Sequence, residues 1–153
     1  MKRLFDIALA IVTLFIFSFP MLLIVLAVRL TSTGPVLYWS DRVGRHNRLF
    51  RMPKFRTMLV DAPIVATHLL NRPERYLTPV GSFLRKSSLD ELPQLWSILR
   101  GDMSFVGPRP DVPGYYDTLT GTDRVVLELK PGLTSEASLL FFNEEALLAQ
   151  QVD

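Results

Sequence analysis

The sequence contains no cysteine and only two histidines, His46 and His68. The lack of cysteine excludes disulfides and thiolate metal sites. Two histidines are too few for a histidine-based zinc site, so any bound metal is expected to be a hard cation on oxygen ligands. Internal repeats and low-complexity tracts are also absent, and 153 residues leave room for one compact domain rather than two.

Acidic residues are scarce in one part of the chain. Residues 29–56 contain a single acid, Asp41, beside seven arginines and lysines, whereas residues 111–153 contain eight acids and two basic residues. The basic part predicts an anionic partner, and a solvated basic face is the simpler alternative. Because no RNA-binding motif is present and an apolar segment precedes the basic residues, anionic lipid or a phosphorylated substrate is favoured over nucleic acid.

A segment without charge lies near the N-terminus. The 22 residues of 7–28 are apolar except for Thr13, Ser18 and Pro20. A helix of this length can cross a bilayer core of ~30 Å. The segment is too long for a signal peptide and lacks a small-residue cleavage site after it, so we expect it to be retained as a membrane segment.

The flanks of this segment predict its topology. Lys2 and Arg3 precede it and Arg29 follows it, so the positive-inside rule places both ends in the cytoplasm, with the basic residues from Arg42 onward on the same side. Pro20 removes a hydrogen bond inside the helix and would bend it, which allows a re-entrant helix that enters the membrane and returns. A straight single span with a tolerated proline is the alternative.

Short strands and turns are predicted after this segment. Residues 36–39 indicate a short strand or a membrane-surface aromatic patch, and residues 42–48 a basic turn. Apolar and basic residues alternate over 49–58, which indicates a second short strand. Helical propensity is also high over 59–71, which Pro63 interrupts, and over 143–151.

The most informative stretch is residues 85–110. Two adjacent carboxylates, Asp90 and Glu91, follow the basic pair Arg85 and Lys86. Apolar residues at helical spacing then predict one apolar helix face. These residues are Leu92, Leu95, Trp96 and Leu99. Gly101 is expected to end the helix, and a stiff Gly-Pro-Arg-Pro loop at 107–110 carries the cation Arg109.

Two registers are open for the start of this helix. With Ser88 as the N-cap, Glu91 completes a capping box, but Pro93 falls where a backbone donor is needed. With Asp90 as the N-cap, Pro93 lies in the first turn, where a missing N–H costs little, and we favour this register. It predicts that free amides keep Asp90 ionised near neutral pH. Spacing alone favours Asp90 as a simple cap over a catalytic carboxylate.

Several motifs in a fixed order carry a family resemblance. The chain resembles the bacterial sugar transferases, the monotopic phosphoglycosyl transferases that also form the catalytic domain of polyprenyl glycosylphosphotransferases. The similarity extends from Lys2 to about Leu148, and the order of the motifs is far more specific than any one of them. The motifs are KFRTM at 54–58, LRKxSLDELPQLW at 84–96, GDMS at 101–104, VGPRP at 106–110 and KPGLT at 130–134.

The resemblance implies a fold that is α+β and mostly helical. Residues 1–30 would form a re-entrant membrane helix bent at Pro20, and residues 31–153 a small interfacial cytoplasmic catalytic domain. The family usually breaks its helix with a Ser-Pro pair, whereas Phe19 precedes Pro20 here and serine stands one position earlier. Members usually continue for a few dozen residues beyond the KPGLT motif, so we expect this chain to be C-terminally truncated relative to the family.

The resemblance also implies a function. It predicts transfer of a sugar 1-phosphate from a nucleotide sugar, expected to be a UDP-sugar, to polyprenol phosphate, expected to be undecaprenyl phosphate. An aspartyl-phosphosugar would be the intermediate, and the reaction would initiate synthesis of exopolysaccharide, capsule or O-antigen. Asp90 matches the nucleophile of the family, and Glu91 matches its partner in binding the expected cofactor, Mg²⁺.

Charge and motif position indicate the residues that would bind phosphate. These candidates are Lys54, Arg56, Arg85 and Arg109. Because a diphosphate donor and a phosphate acceptor repel each other, the site needs such cations in addition to Mg²⁺ on Asp90 and Glu91. Arg85 and Arg109 are each expected to need a forked guanidinium rather than a point charge.

The remaining expectations concern partners and location. We expect a nucleotide sugar, polyprenol phosphate and membrane lipid as partners, no nucleic acid, and a homo-oligomer as an open option. The expected location is the cytoplasmic face of the bacterial inner membrane. The alternative from another class is a non-catalytic membrane-anchored module that binds anionic lipid or a partner enzyme.

Overall fold

The computed structural model describes residues 1–63 and 73–135. Helices over the described residues are α1 (Lys2–Thr31), α2 (Gly81–Lys86) and α3 (Leu95–Arg100). The strands are β1 (Leu37–Val43), β2 (Leu49–Phe55), β3 (Ser104–Val106) and β4 (Gly132–Thr134). Short 3₁₀ turns occupy Arg45–Asn47, Pro73–Tyr76, Leu89–Gln94, Tyr116–Thr118 and Gly121–Glu128.

The mixed helix and strand content, with a long apolar helix at the N-terminus, confirms the coarse fold class that the sequence predicts. Of the helix predicted over 59–71, residues 59–63 are not helical and most of the remainder lies outside the described residues. The helix predicted over 143–151 lies wholly outside them. The catalytic domain predicted over 31–153 is therefore described only in part.

Helix α1 packs against the remaining residues along one stripe. Near its N-terminal end, Ala10 and the partly buried Leu14 join a core that also contains Met52 and Ile98. Fourteen residues beyond Ala10, Ile24 begins a second patch.

The second patch lies near the other end of α1. Here Ile24 and Val28 pack with Phe55 of β2 and Leu84 of α2. Because residues spaced by three, four or a multiple of a turn share a helix face, the two patches form one stripe. Leu92 packs against both cores.

The opposite face of α1 is apolar and exposed. By length and composition α1 could cross a membrane. The exposed residues recur at three- and four-residue spacing from one end to the other, so they form a continuous outer face. They are Leu4, Phe5, Ile11, Val12, Phe15, Ile16, Phe19, Leu22, Leu23, Leu26 and Leu30.

Polar contacts fix the N-terminal end of α1. The buried carboxylate of Asp6 accepts a hydrogen bond from Ser104 Oγ at 2.9 Å, and Lys2 Nζ also donates to Ser104 Oγ. Arg3 donates to the carbonyl of Ile98 and, at 2.7 Å, to that of Leu99. Arg3 therefore binds carbonyls in the last turn of α3, where a helix leaves its final carbonyls without intrahelical partners.

Helix α1 is continuous through Pro20, which occupies an interior position. A proline at position 20 leaves the carbonyl of Ile16 without its usual donor. Ser18 does not replace that donor, because its hydroxyl donates to the carbonyl of Phe15 at 2.7 Å.

Strands β1 and β2 form an antiparallel hairpin in which Tyr38 pairs with Lys54 and Arg42 with Phe50. The basic turn begins at Gly44 rather than at Arg42, because residues 42 and 43 still pair with β2. His46 and Asn47 both adopt positive φ in the turn. Positive φ is unusual for residues with side chains, although Asn and His are among those that tolerate it best.

Strands β3 and β4 are parallel, with Ser104 beside Gly132 and Val106 beside Thr134. A Cβ atom on Gly107 would overlap the carbonyl of Lys130, and one on Gly132 would overlap the amide of Gly107. This close backbone approach requires glycine at both positions. It fixes the start of the loop that carries Arg109.

Candidate active site

The carboxylate pair lies on a 3₁₀ turn between α2 and α3. Ser88 is the N-cap of this turn and adopts a left-handed conformation, with φ 55° and ψ 15°. The amide of Glu91 donates to the carbonyl of Ser88 at 3.2 Å. The register that we favoured, with Asp90 as the N-cap, is therefore wrong, because the first turn is 3₁₀ and already begins at Leu89.

The alternative register is only half correct. Ser88 makes no side-chain capping bond, and the Glu91 carboxylate accepts a hydrogen bond from Lys54 instead of closing a capping box. Pro93 falls inside the 3₁₀ turn and precedes α3. Its missing donor costs little there, because the first turn of a following helix leaves donors unpaired in any case.

Helix α3 follows the turn and packs into the hydrophobic core. Leu95 and Ile98 are fully buried against Met52 and Met103, whereas Trp96 is 53% exposed. The prediction that Trp96 belongs to the apolar face is wrong, because the buried side of this short helix is set by Leu95 and Ile98. Gly101 ends the helix with φ 97°, as its position in the sequence predicts.

Strand β2 brings Lys54 to the carboxylates. Lys54 Nζ lies 2.7 Å from Glu91 Oε1, and both side chains are partly exposed. The neighbouring Phe55 is buried in the core, which fixes the end of the strand against the turn. An ion pair in this setting is a charge-assisted hydrogen bond and limits the motion of both groups.

Asp90 is the more buried of the two carboxylates, with 8% of its surface exposed. Burial raises the pKa of Asp90 to about 6, while Lys54 opposes the shift, Glu91 adds to it and Arg85 opposes it. The amide donors expected to hold Asp90 ionised are outweighed by the loss of water around the carboxylate. At pH 7 the ionised form still predominates, but by a smaller margin than the helix-terminus argument predicts.

Arg85 belongs to the same cluster. It extends from α2, where its Nε donates to the hydroxyl of Thr57 at 2.9 Å, and it acts electrostatically on Asp90. Thr57 is buried just after β2. The structure therefore brings together Lys54, Arg85, Asp90 and Glu91.

Arg56 has a different position from the one predicted. Only 6% of it is exposed, and its guanidinium donates to the carbonyl of Thr33 and, at 2.8 Å, to the hydroxyl of Ser32. These partners belong to the turn that follows α1. Arg56 ties the end of α1 to β2, and its terminal nitrogens are already engaged away from the carboxylates.

Arg109 is exposed on its loop. It borders a small cavity that is also lined by Val43 and Tyr116. It is close enough to Arg42 to lower the pKa of that residue, although burial is the larger cause. Arg109 therefore forms a second cationic group with Arg42.

Sequence reasoning missed Arg42 as a site residue. Arg42 is half-buried in β1, and Glu91 is near enough to act electrostatically on it. The pairing of β1 with β2 places Arg42 on the same strand face as Lys54. That signal was available only if 36–43 and 49–55 were recognised as one hairpin with a register, rather than as separate strands.

The fit to Mg²⁺ rests on the donor chemistry of two carboxylates. Among residues 1–63 and 73–135, no group of three or more His, Asp or Glu side chains forms a cluster. Mg²⁺ characteristically takes one or two carboxylates and completes its shell with water and substrate phosphates. Asp90 and Glu91 meet that requirement, and the burial that raises the pKa of Asp90 is the kind of cost that a bound cation offsets.

Comparison with known proteins finds relatives of this chain. The chain is 41% identical over 150 residues to the undecaprenyl-phosphate galactose phosphotransferase of Salmonella typhimurium. This match covers 88% of this chain and 31% of that protein. It is 42% identical over 113 residues to the undecaprenyl-phosphate glucose phosphotransferase of Komagataeibacter xylinus, covering 73% of this chain and 21% of that protein.

A shorter relative is matched over more of its length. The uncharacterized sugar transferase EpsL of Bacillus subtilis is 41% identical over 139 residues, with 91% of this chain and 68% of that protein covered. The chain spans less than a third of the two phosphotransferases above. The family model described as bacterial sugar transferase matches residues 1–153, from the α1 helix through the carboxylate turn and beyond, and the chain therefore belongs to the bacterial sugar transferase family.

Proposed function

We propose that this chain transfers a sugar 1-phosphate from a UDP-sugar to undecaprenyl phosphate through a covalent intermediate on Asp90. The observation that carries the proposal is a buried carboxylate, Asp90, with a pKa of about 6 and with Lys54 and Arg85 close enough to act on it electrostatically. Such a group is ionised at neutral pH yet poorly solvated, which suits a nucleophile. The names of the Salmonella and Komagataeibacter relatives support the lipid acceptor.

The reaction would proceed as two displacements. An oxygen of Asp90 attacks the phosphorus that bears the sugar, and the bond to the nucleotide phosphate breaks, so that UMP leaves with the electron pair. A phosphate oxygen of the polyprenol then attacks the same phosphorus, which releases Asp90 and yields the polyprenyl diphosphate sugar. Each displacement places charge near Lys54 and Arg85, which are positioned to offset it.

Adjacent carboxylates would have different tasks. Consecutive residues in a 3₁₀ turn point roughly 120° apart, so Asp90 and Glu91 cannot both attack one phosphorus. Glu91 is fixed by Lys54, and together with Asp90 it would hold Mg²⁺. When bound, the metal supplies positive charge that polarises the phosphoryl oxygens.

Membrane association would come from the exposed apolar face of α1. Near one end of α1, Asp6 is bound by Ser104 of β3, and near the other end Val28 packs with Phe55 of β2 and Leu84 of α2. The separation of Asp6 and Val28 along the helix is about 33 Å, as long as a bilayer core is thick. Because both ends contact one domain, we propose that both lie on one side of the membrane, the cytoplasmic face of the inner membrane, with a bend at Pro20 assisting insertion into one leaflet.

Nucleotide release tests the proposed reaction. The 153-residue chain in detergent or nanodiscs should release UMP from at least one member of a UDP-sugar panel, and EDTA should abolish the release. Without lipid acceptor the release should stop near one equivalent and leave a phosphosugar on the peptide that contains Asp90.

Two variants make that experiment specific. Asp90→Asn should give neither release nor adduct, whereas Asp123→Asn, at an exposed carboxylate, should behave as the wild type. An adduct on Glu91, or turnover by Asp90→Asn, would show that the roles are wrongly assigned. Lipid binding without release from any donor would instead support a non-catalytic membrane module.

A further inference from the structure

One face of the β1–β2 hairpin is directed at the carboxylate turn. Residues directly opposite in an antiparallel pair share a face, and so do alternate residues along each strand. Lys54 contacts Glu91 from this face, which we call the inner face. Its members are Tyr38, Ser40, Arg42, Phe50, Met52 and Lys54.

Arg42 is the second cation on the inner face. Its Nε donates to the hydroxyl of Ser40 at 3.1 Å, and one terminal nitrogen reaches the carbonyl of Pro110 at 3.4 Å. Within the described part of the chain, no carboxylate oxygen lies within 4.0 Å of its guanidinium. Asp111 is near enough to favour the charge, although burial lowers the pKa of Arg42 overall.

A half-buried guanidinium without a close carboxylate is a candidate anion receptor. Burying a charge is costly unless a partner compensates it. The hydroxyl and the carbonyl that bind Arg42 are neutral, and the second of these bonds is long. They orient the side chain but do not neutralise it, and a phosphate would do both.

Glu91 interacts with one cation from each of two cationic groups. It contacts Lys54 directly and acts electrostatically on Arg42. Arg85 acts electrostatically on Asp90, and Arg109 acts electrostatically on Arg42. The site thus offers one cationic group near the nucleophile, Lys54 with Arg85, and another farther along the hairpin, Arg42 with Arg109.

The geometry of an in-line displacement suggests a function for the cationic group that contains Arg42. The attacking and leaving oxygens lie on opposite sides of the reacting phosphorus. If Asp90 attacks the sugar-bearing phosphorus, the nucleotide phosphate leaves on the side away from Asp90. We propose, on the basis of the function proposed above, that Arg42 binds the phosphate of the leaving nucleoside monophosphate.

The two half-reactions separate this role from a structural one. Arg42→Gln should slow nucleotide release from the UDP-sugar and weaken binding of UMP itself by roughly 10- to 100-fold, the loss expected for a charge-assisted contact. Discharge of a preformed Asp90 adduct to undecaprenyl phosphate should keep its rate, since UMP has already left. Arg42→Lys should recover part of the binding, because charge without the fork is less effective.

Arg51→Gln is the matched control. Arg51 lies on the opposite face of the same strands, exposed and over the ring of Trp39, so its loss should change neither UMP binding nor release. Equal slowing of both half-reactions by Arg42→Gln, or unchanged UMP binding, would overturn the inference.

Direct UMP binding keeps the two proposals distinguishable. Wild-type chain that binds UMP through Arg42 but forms no adduct would refute the proposed function alone. Adduct formation with UMP binding insensitive to Arg42→Gln would refute the role of Arg42 alone. Absence of both adduct and UMP binding would refute both.

Discussion

The carboxylate of Asp90 is buried, and its ionisation lowers the free energy of unfolding. Burial raises its pKa from 3.8 to about 6, so the folded state binds this proton more tightly than the unfolded state does. The free energy of unfolding therefore falls as pH rises from about 4 to about 6 and stays lower above that range. At 1.36 kcal/mol per pKa unit, the ionised carboxylate costs about 3 kcal/mol.

This sign predicts the behaviour of Asp90→Asn. The variant should be more stable than the wild type at pH 7.5, by about 1–3 kcal/mol, because a neutral amide avoids the cost of the buried charge. At pH 4 the difference should nearly vanish, since Asp90 is then protonated in the folded protein. Thermal unfolding at the two pH values measures this, with Asp123→Asn as the exposed control.

If Asp90→Asn is more stable than the wild type by the same amount at both pH values, the gain comes from the shape of the side chain and not from removal of its charge. A loss of stability at pH 7.5 would mean that Lys54 and Arg85 compensate the carboxylate more fully than its pKa indicates.

Some properties of the site residues follow from local sequence, and others depend on contacts with segments that are distant in the chain. Asp90 and Glu91 could be identified from sequence because a motif marks them, but the burial that shifts the pKa of Asp90 depends on packing from distant elements. Arg56 lies in the same motif as Lys54, yet its partners are in the turn after α1. Arg56 lies one residue beyond the end of β2 at Phe55, so the alternation of side chains along a strand does not place it on the face of Lys54.

The turn between α2 and α3 depends on the strained backbone at Ser88, whose φ is 55°. A left-handed conformation costs a non-glycine residue roughly 1 kcal/mol, and Ser88 makes no capping bond that would offset it. Ser88→Gly should therefore raise the free energy of unfolding by roughly 0.5–1 kcal/mol. Chemical denaturation of the chain in micelles measures this difference.

Ser87→Gly is the neighbouring control. Ser87 has right-handed backbone angles, and its hydroxyl donates to the carbonyl of Phe83 at 2.8 Å. Glycine should be destabilising here, because it loses that bond and gains backbone freedom in the unfolded chain. If both substitutions destabilise equally, the conformation of Ser88 carries no strain that glycine relieves.

Local sequence patterns predicted where helices and strands occur better than they predicted which side of each element is buried. The apolar run predicted α1, alternation predicted β2, and Gly101 predicted the end of α3, because these signals are contained within a few residues. The start of the carboxylate turn was misjudged because a 3₁₀ turn satisfies Pro93 as well as an α-helical first turn does. The exposure of Trp96 could not be deduced, since it depends on which side of α3 other elements cover.

The arrangement of α1 on the domain is the feature that sequence could least reveal. An apolar segment of this length fits a bilayer span, and only the packing shows that one stripe is committed to protein contacts at both ends. Buried Asp6 belongs to that stripe and bonds to Ser104. A polar residue at such a position is satisfied by the domain rather than by lipid or water.

The contacts at both ends of α1 predict a topology that labelling can test. The chain has no cysteine, so Lys2→Cys and Arg48→Cys each create one reactive site, and both native side chains are exposed. In spheroplasts, a membrane-impermeant thiol reagent should label neither site until the membrane is opened, and should then label both. A straight span would instead expose one of the two positions from outside, because α1 is long enough to place its ends on opposite faces. Labelling of position 2 in sealed spheroplasts would therefore contradict the one-sided arrangement and require the N-terminal contacts with Ser104 to be absent in the membrane.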